Sequence, residues 1–196
     1  MSISTTLRCT AFLGVRQIAA GTLEEVALSV KAALVEDQRL SALVFDDATG
    51  RQIDLDLRGT DDDVVRRLAL HPFVYRVATT EPEPRGPGRP KLGVVAREVT
   101  LLPRHWEWLS RQPGGASVAL RKLVDEARRT HGSRDRMRQA REATYNFMSA
   151  MVGNEPGYEE AARALFAKDR AHFDALITKW PTDVSTYVAR LAEAAF

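Results

Sequence analysis

The chain has 196 residues, of which 44% are apolar and 28% are charged, a composition typical of folded globular proteins rather than disordered ones. No apolar run approaches the ~20 residues of a membrane-spanning helix, and the first residues lack the pattern of a secretory signal. The single cysteine, Cys9, cannot form an internal disulfide. Because it lies in an alternating apolar segment, we expect it to be buried and the protein to be cytoplasmic.

The net charge of +2 conceals a separation of charge along the chain. Residues 1–84 carry a net charge of −4, residues 85–142 carry +8, and residues 143–196 carry −2. A basic middle favours a polyanionic partner, because Lys and Arg gain affinity by displacing counterions from phosphates. Solvated helix surfaces are the alternative explanation.

Residues 1–78 predict an α+β domain with the element order ββαββα. Residues 7–12 and 15–18 form a predicted hairpin around Gly14, and Thr22 with Glu25 forms the capping box of the following helix. The other predicted elements are a strand at 42–45, an alternating strand at 52–57, and a helix that begins at Gly59 and Thr60 with three aspartates in its first turn.

Residues 79–93 contain four of the nine prolines and have no apolar period, which predicts a flexible basic linker. The end of this linker, from Arg85 to Lys91, resembles an AT-hook, whose Gly-Arg-Pro core lies in the narrow minor groove of A·T-rich DNA. The resemblance implies that Arg85, Arg89 and Lys91 contact DNA. Pro87 stands where the hook has a second arginine, so one reaching side chain is missing, and an ordinary basic linker is the alternative.

Residues 94–132 predict a strand at 94–101, a helix that begins at Pro103, a Gly turn, and a longer helix at 117–130. A single strand with two helices cannot bury its own apolar side chains. Two copies can do so by pairing their strands across a twofold axis. The segment therefore predicts a homodimer.

This order resembles the ribbon–helix–helix family of bacterial repressors, in which paired strands enter the major groove and the second helix holds a phosphate at its N-terminus. The resemblance implies that Val95, Val99 and Leu101 face the helices. It implies that Ala96, Glu98 and Thr100 face the groove, although the family usually presents Arg, Lys, Asn or Gln there. Arg97 faces the groove only if the register slips by one residue.

Phosphate contacts in this segment would then be made by the backbone around Ala116 and Ser117, with Arg121 and Lys122 nearby. The predicted DNA-binding residues of the segment are Arg97, Glu98, Thr100, Ser117, Arg121 and Lys122. The alternative is a strand–helix–helix connector inside a larger α+β fold.

Residues 133–196 predict a helical domain with helices at 134–152, 157–179 and 183–195. Gly153 is a predicted helix stop and Thr182 a predicted N-cap. The predicted core face of the middle helix consists of Leu165, Phe166, Phe173, Leu176, Ile177 and Trp180. Tyr187 and Leu191 continue it.

We find no pattern that predicts catalysis, a cofactor or a metal. The acidic residues that could gather at the sheet edge are Asp46, Asp47, Asp54, Asp56 and Asp61 to Asp63. Each of these has a simpler role as a turn, strand-face or helix-cap residue. The four histidines and one cysteine lack metal-ligand spacing. A metal-dependent enzyme is the third and weakest hypothesis.

Nearly the whole chain resembles a bacterial family known as a domain of unknown function. The resemblance rests on residues 44–51, 54–59, 88–109 and 112–116, and it implies no activity. We therefore predict a DNA-binding, non-enzymatic transcriptional regulator that acts as a dimer on double-stranded DNA. The alternative is a protein-interaction or structural module whose basic surface meets an acidic protein.

Overall fold

The computed structural model describes residues 7–36, 41–70 and 97–196. The protein is mixed α+β, as the sequence predicted, and mostly helical. The first half contains β1 (Arg8–Leu13), β2 (Arg16–Thr22), α1 (Leu23–Glu36), β3 (Ala42–Asp46), β4 (Gln52–Ile53) and α2 (Asp61–Ala69). The second half contains α3 (Pro103–Ser110), α4 (Gly115–Val152), α5 (Tyr158–Ala167), α6 (Arg170–Ile177), α7 (Thr182–Leu191) and a 3₁₀ turn (Ala192–Ala194).

The described residues fall into two compact units. One unit combines the residues before 71 with residues 136–196, and the other consists of residues 97–135. The domain boundaries predicted near residues 78, 93 and 132 do not indicate that the residues before 71 and residues 136–196 belong to one unit.

The four strands of the first unit form one antiparallel sheet in the order β2-β1-β3-β4. The hairpin around Gly14 is confirmed, and this glycine has the positive φ of +59° that the tight turn requires. The capping box of α1 is confirmed as well, because Thr22 and Glu25 exchange two hydrogen bonds. The predicted strand at 52–57 pairs only at Gln52 and Ile53, although Ile53 is buried and Asp54 exposed, as the alternation predicts.

Alternate residues of the sheet enter two different hydrophobic cores. Cys9, Ala11 and Val44 pack on one face with α1 and α2, as side chains that alternate along a strand require. Phe12 and Phe45 enter the other face, where they meet the C-terminal helices. The side chains that complete this second core include Phe147, Met148, Leu165, Phe173, Ile177, Trp180, Val184 and Tyr187.

Phe147 of α4 lies at the centre of the second core. Its ring centroid is 4.7 Å from that of Phe45, 5.4 Å from that of Phe12 and 4.4 Å from that of Tyr187. These rings are tilted or edge-on to one another, the arrangements that aromatic quadrupoles favour. The aromatic cluster therefore joins the sheet to the end of the chain.

Three features of the C-terminal helices differ from the sequence prediction. The helix expected at 157–179 is two helices, because Lys168 adopts a left-handed φ of +65° and Asp169 caps α6 by accepting a hydrogen bond from the His172 amide. Phe166 is 56% exposed rather than part of the core, and its ring lies against Tyr145. Thr182 is the first residue of α7 and makes no capping hydrogen bond, since Pro181 occupies the cap position.

The second unit contains α3 and the first half of α4. Pro103 occupies the first turn of α3, as predicted. The two helices predicted at 117–130 and 134–152 are one helix of 38 residues, because a single glycine at position 132 costs a helix interior only about 1 kcal/mol. Residues 97–102 form no strand. A strand needs a neighbour to bond with, and none of the described residues pairs with this segment.

Candidate nucleic-acid interface

The structure places the predicted DNA-binding residues in two separate segments. Arg97, Glu98 and Thr100 are exposed in the irregular stretch before α3. Ser117 is exposed in the first turn of α4, followed one turn later by the exposed Arg121 and Lys122. Arg85, Arg89 and Lys91, together with Val95 and Ala96, lie outside the described residues.

The described part of the predicted ribbon strand, residues 97–101, does not form a strand. Val99, which was expected to face the helices, is 52% exposed, and the stretch around it has no ladder partner among the described residues. Pairing of two such segments across a twofold axis requires a second subunit, so it stays a prediction.

Helix α4 carries a basic stripe that defines the strongest candidate interface. The cations of the stripe are Arg121, Lys122, Arg128 and Arg129. Residues seven apart lie two turns apart on the same side of a helix, which places Arg121 with Arg128, and Lys122 with Arg129. The stripe runs for about 12 Å at 1.5 Å per residue, and every residue from 121 to 131 is exposed.

Few carboxylates neutralise this stripe. Residues 121–131 contain four Lys or Arg and two Asp or Glu. Glu126 pairs with Arg129, and Asp125 lies within the stripe itself. Among the described residues, Arg121, Lys122 and Arg128 have no ion-pair partner. The uncompensated charge makes the surface attractive to an anion.

The opposite side of the same helix is apolar. Leu120, Leu123, Val124 and Ala127 follow the i, i+3, i+4, i+7 spacing of one helical face. Leu123 is 48% exposed and Val124 is 54% exposed. The sequence predicted that the apolar side chains of this segment are buried only between two copies, and nothing in the described part of the single chain covers this part of α4.

Sequence reasoning named Arg121 and Lys122 but missed Arg128 and Arg129. Both of these lie within the helix predicted at 117–130, seven residues after the two cations that were named. This seven-residue spacing was the signal that could have identified them.

The acidic residues of the first unit have structural roles. Asp46 is 3% exposed and holds the β3–β4 turn, accepting hydrogen bonds from the Ala48 amide and the Thr49 hydroxyl. Hydrogen bonds from Arg58 hold the pKa of Asp56 well below its usual range. Asp63 completes the capping box of α2 with Thr60. These carboxylates are therefore engaged in folding the chain.

In the described part of the chain, these carboxylates are not part of a metal-binding cluster. Among residues 7–36, 41–70 and 97–196, no group of three or more His, Cys, Asp or Glu side chains is arranged to hold a metal ion. His105, His131 and His172 are all exposed. No helix in the same ranges is long and apolar enough to cross a membrane.

The fold and the interface together define a mixed α+β protein with a long, basic helix. The chain belongs to a bacterial family, because residues 8–192 match the family described as "Uncharacterized protein conserved in bacteria (DUF2239)". No curated protein and no solved structure matches the chain significantly.

Proposed function

We propose that this protein binds double-stranded DNA as a homodimer, without catalysis, and acts as a transcriptional regulator. The basic stripe of α4 is the observation that carries the proposal. Its four cations extend for about 12 Å on one side of a helix, and the side chains around them are exposed. Such a surface meets several phosphates of a duplex and gains affinity from the counterions that it releases.

The turn that leads into α4 supports the same DNA-binding surface. Gly114 and Gly115 both have positive φ, at +85° and +76°, and they turn the chain into the helix, which begins at Gly115. The first amides of a helix have no intrahelical partner and are favourable for an anion. Ser117 and Arg121, one turn apart, extend this anion-binding end into the stripe.

The apolar side of the second unit supports the dimer. Within residues 97–135, the buried apolar side chains are those of Leu109 and Ala119, and so small a core stabilises a unit of this size poorly. Leu123 and Val124 lie opposite the basic stripe and remain exposed. A second copy that covered them would leave both stripes available to DNA. The paired ribbon and the AT-hook-like linker would add contacts in the two grooves.

A salt titration with a matched pair of variants tests the proposal. Binding to a fluorescein-labelled 20-bp duplex is measured by anisotropy between 50 and 200 mM salt. In the stripe variant, Arg121, Lys122 and Arg128 become Gln. In the control variant, Arg16, Arg66 and Arg163, which are exposed cations of the first unit, become Gln, so that both variants lose the same charge.

We expect the stripe variant to bind more weakly and to lower the slope of log K against log salt by about 0.9 for each phosphate that the protein no longer neutralises. The control variant should retain the slope of the unmodified protein. The proposal is wrong if the unmodified protein fails to bind at low micromolar concentration in 50 mM salt. It is also wrong if the two variants have equal slopes.

A protein-interaction module is the second candidate, and the exposed Leu123, Val124 and Trp106 favour it. This second candidate predicts that the exposed apolar surface binds another protein and that the chain has no affinity for DNA. Sedimentation velocity separates the two candidates in combination with the titration. A DNA-binding dimer sediments as twice the chain mass and binds the duplex, whereas an interaction module fails to bind it in either state.

A further inference from the structure

Helix α3 presents one indole ring between two guanidinium groups. Trp108 is 51% exposed, and Arg104 and Arg111 are exposed as well. The three residues follow the spacing i, i+4, i+7, which places them on one face of the helix and of its final turn. Arg104 lies one turn before the ring and Arg111 one turn after it.

The charges around this ring restrict what can cover it. Among the described residues, neither Arg104 nor Arg111 has an ion-pair partner. Glu107 is the acid on the same helix, three residues after Arg104 and four before Arg111, and no ion pair joins it to either arginine among the described residues. An apolar protein surface placed on Trp108 would desolvate two cations without pairing them, which is unfavourable. The occupant that fits is a flat ring with an anion on each side.

A nucleotide in a single strand has this chemistry. Its base stacks on an aromatic side chain, and its two flanking phosphates pair with arginine. In a duplex, neighbouring base pairs cover the face of each base, so an indole ring reaches that face only where the strands are open. Arg104 and Arg111 are about 10 Å apart along the helix axis, within reach of successive phosphates.

We propose that Arg104, Trp108 and Arg111 form a stacking site for an unpaired nucleotide of single-stranded DNA. Trp108 holds the base, and the two arginines hold the phosphates on either side. This inference rests on the proposed function in taking DNA as the partner, but it uses α3 instead of the stripe on α4. The site gives the protein an affinity for opened or single-stranded regions in addition to the duplex.

The chain provides internal controls for an experiment on this site. Trp106 is 43% exposed but lies on the other side of α3, about 160° around the helix axis from Trp108. Trp180 is 6% exposed, and its indole N–H donates a 3.2 Å hydrogen bond to the Pro156 carbonyl. A fluorescence change on binding therefore reports on α3.

The experiment compares a 15-nucleotide oligo(dT) with the 20-bp duplex, using anisotropy and quenching of intrinsic tryptophan fluorescence. We expect Trp108→Leu to weaken oligo(dT) binding about tenfold and to abolish most of the quenching. Trp106→Leu should change the affinity by less than about twofold. Replacing Arg104 and Arg111 by Gln should weaken oligo(dT) binding and reduce its dependence on salt.

The failures of the two proposals are distinguishable. If Trp108→Leu leaves oligo(dT) affinity and quenching unchanged, the stacking site is wrong, whatever the duplex titration shows. If the stripe variant loses duplex binding while Trp108→Leu loses only oligo(dT) binding, both proposals stand. If Trp108→Leu instead converts a dimer to a monomer in sedimentation and leaves oligo(dT) affinity intact, a second copy covers the ring and the stacking site is overturned.

Discussion

The hydroxyl of Tyr187 donates a 2.8 Å hydrogen bond to Oδ1 of Asp47, although 140 residues separate the two along the chain. The Thr10 hydroxyl donates to the same oxygen at 2.8 Å. The guanidinium of Arg190 lies 3.3 Å from Oδ2 of Asp47 and stacks over the Tyr187 ring. One carboxylate therefore joins the turn after β3 to β1 and to α7.

Replacing Asp47 by Ala should destabilise the protein by about 2–3 kcal/mol, because the buried Tyr187 and Thr10 hydroxyls lose their acceptor. Tyr187→Phe should cost less, about 1 kcal/mol, since the carboxylate retains two other partners. The free energy of unfolding in urea measures both. As a control, Glu193→Ala removes an exposed carboxylate of the same unit and should change the free energy of unfolding by less than about 0.5 kcal/mol. Equal effects of the two carboxylate substitutions would contradict the role assigned to Asp47.

Two phenylalanines provide a test of the aromatic core. Phe147 is fully buried among three other rings, whereas Phe166 is 56% exposed. We expect Phe147→Ala to lower the free energy of unfolding by about 3–5 kcal/mol through reduced burial and a residual cavity. Phe166→Ala should lower it by about 1 kcal/mol or less. Thermal and urea unfolding measure the difference. A larger loss of stability from Phe166→Ala than from Phe147→Ala would contradict the position of the core described above.

Gly50 should tolerate no side chain. It has a φ of +63°, and a Cβ built there would lie 1.9 Å from the carbonyl oxygen of Ala143. Gly14 has a similar φ of +59°, but nothing lies within 4 Å of its Cβ position. Gly14→Ala should therefore cost only the backbone strain of about 1–2 kcal/mol. Gly50→Ala should cost more, about 2–4 kcal/mol in total, because the turn must also move away from α4. Similar melting temperatures for the two variants would sink this prediction.

The stability of the protein should fall as the pH rises above about 8.5. Burial, reinforced by Asp46 and Asp47, raises the pKa of the Cys9 thiol to about 12. The folded state therefore keeps its proton while the unfolded chain ionises, so the stabilisation is complete below the unfolded pKa and declines above it. We expect a slope approaching about 1.4 kcal/mol per pH unit.

Cys9→Ala separates this effect from other titrations. The pKa of Tyr187 is also raised by burial, but an unfolded tyrosine ionises only near pH 10. Between about pH 8.5 and 10 the variant should therefore show a flatter dependence of unfolding free energy on pH than the unmodified protein. Parallel curves in this window would mean that the thiol is accessible to water in the folded state.

Local patterns predicted the elements of residues 7–36 and the start of α2 well because these elements depend on local chemistry. The hairpin at Gly14 follows from a residue that tolerates positive φ, and the caps at Thr22 and Thr60 follow from side chains that bond their own helix ends. The burial of Cys9 follows from strand alternation.

Long-range packing was not predictable in the same way. No local signal showed that Phe12 and Phe45 pack on Phe147, because contacts between distant residues leave no periodicity in the sequence. The break at Lys168 was also missed, since a left-handed lysine resembles an ordinary helix residue in composition. In the candidate interface, the sequence identified Arg121 and Lys122. It missed Arg128 and Arg129, which lie seven residues further along the same predicted helix.

The aromatic core has a consequence for synthesis of the chain. Phe12 and Phe45 leave the ribosome long before Phe147 and Tyr187, the rings that cover them. At typical translation rates of about 5–20 residues per second, on the order of ten seconds separates the emergence of Phe45 from that of Tyr187. During that interval one apolar face of the nascent sheet stays exposed to water, which favours aggregation. A transcript truncated before the codon for residue 147 would encode a chain whose sheet can never be covered.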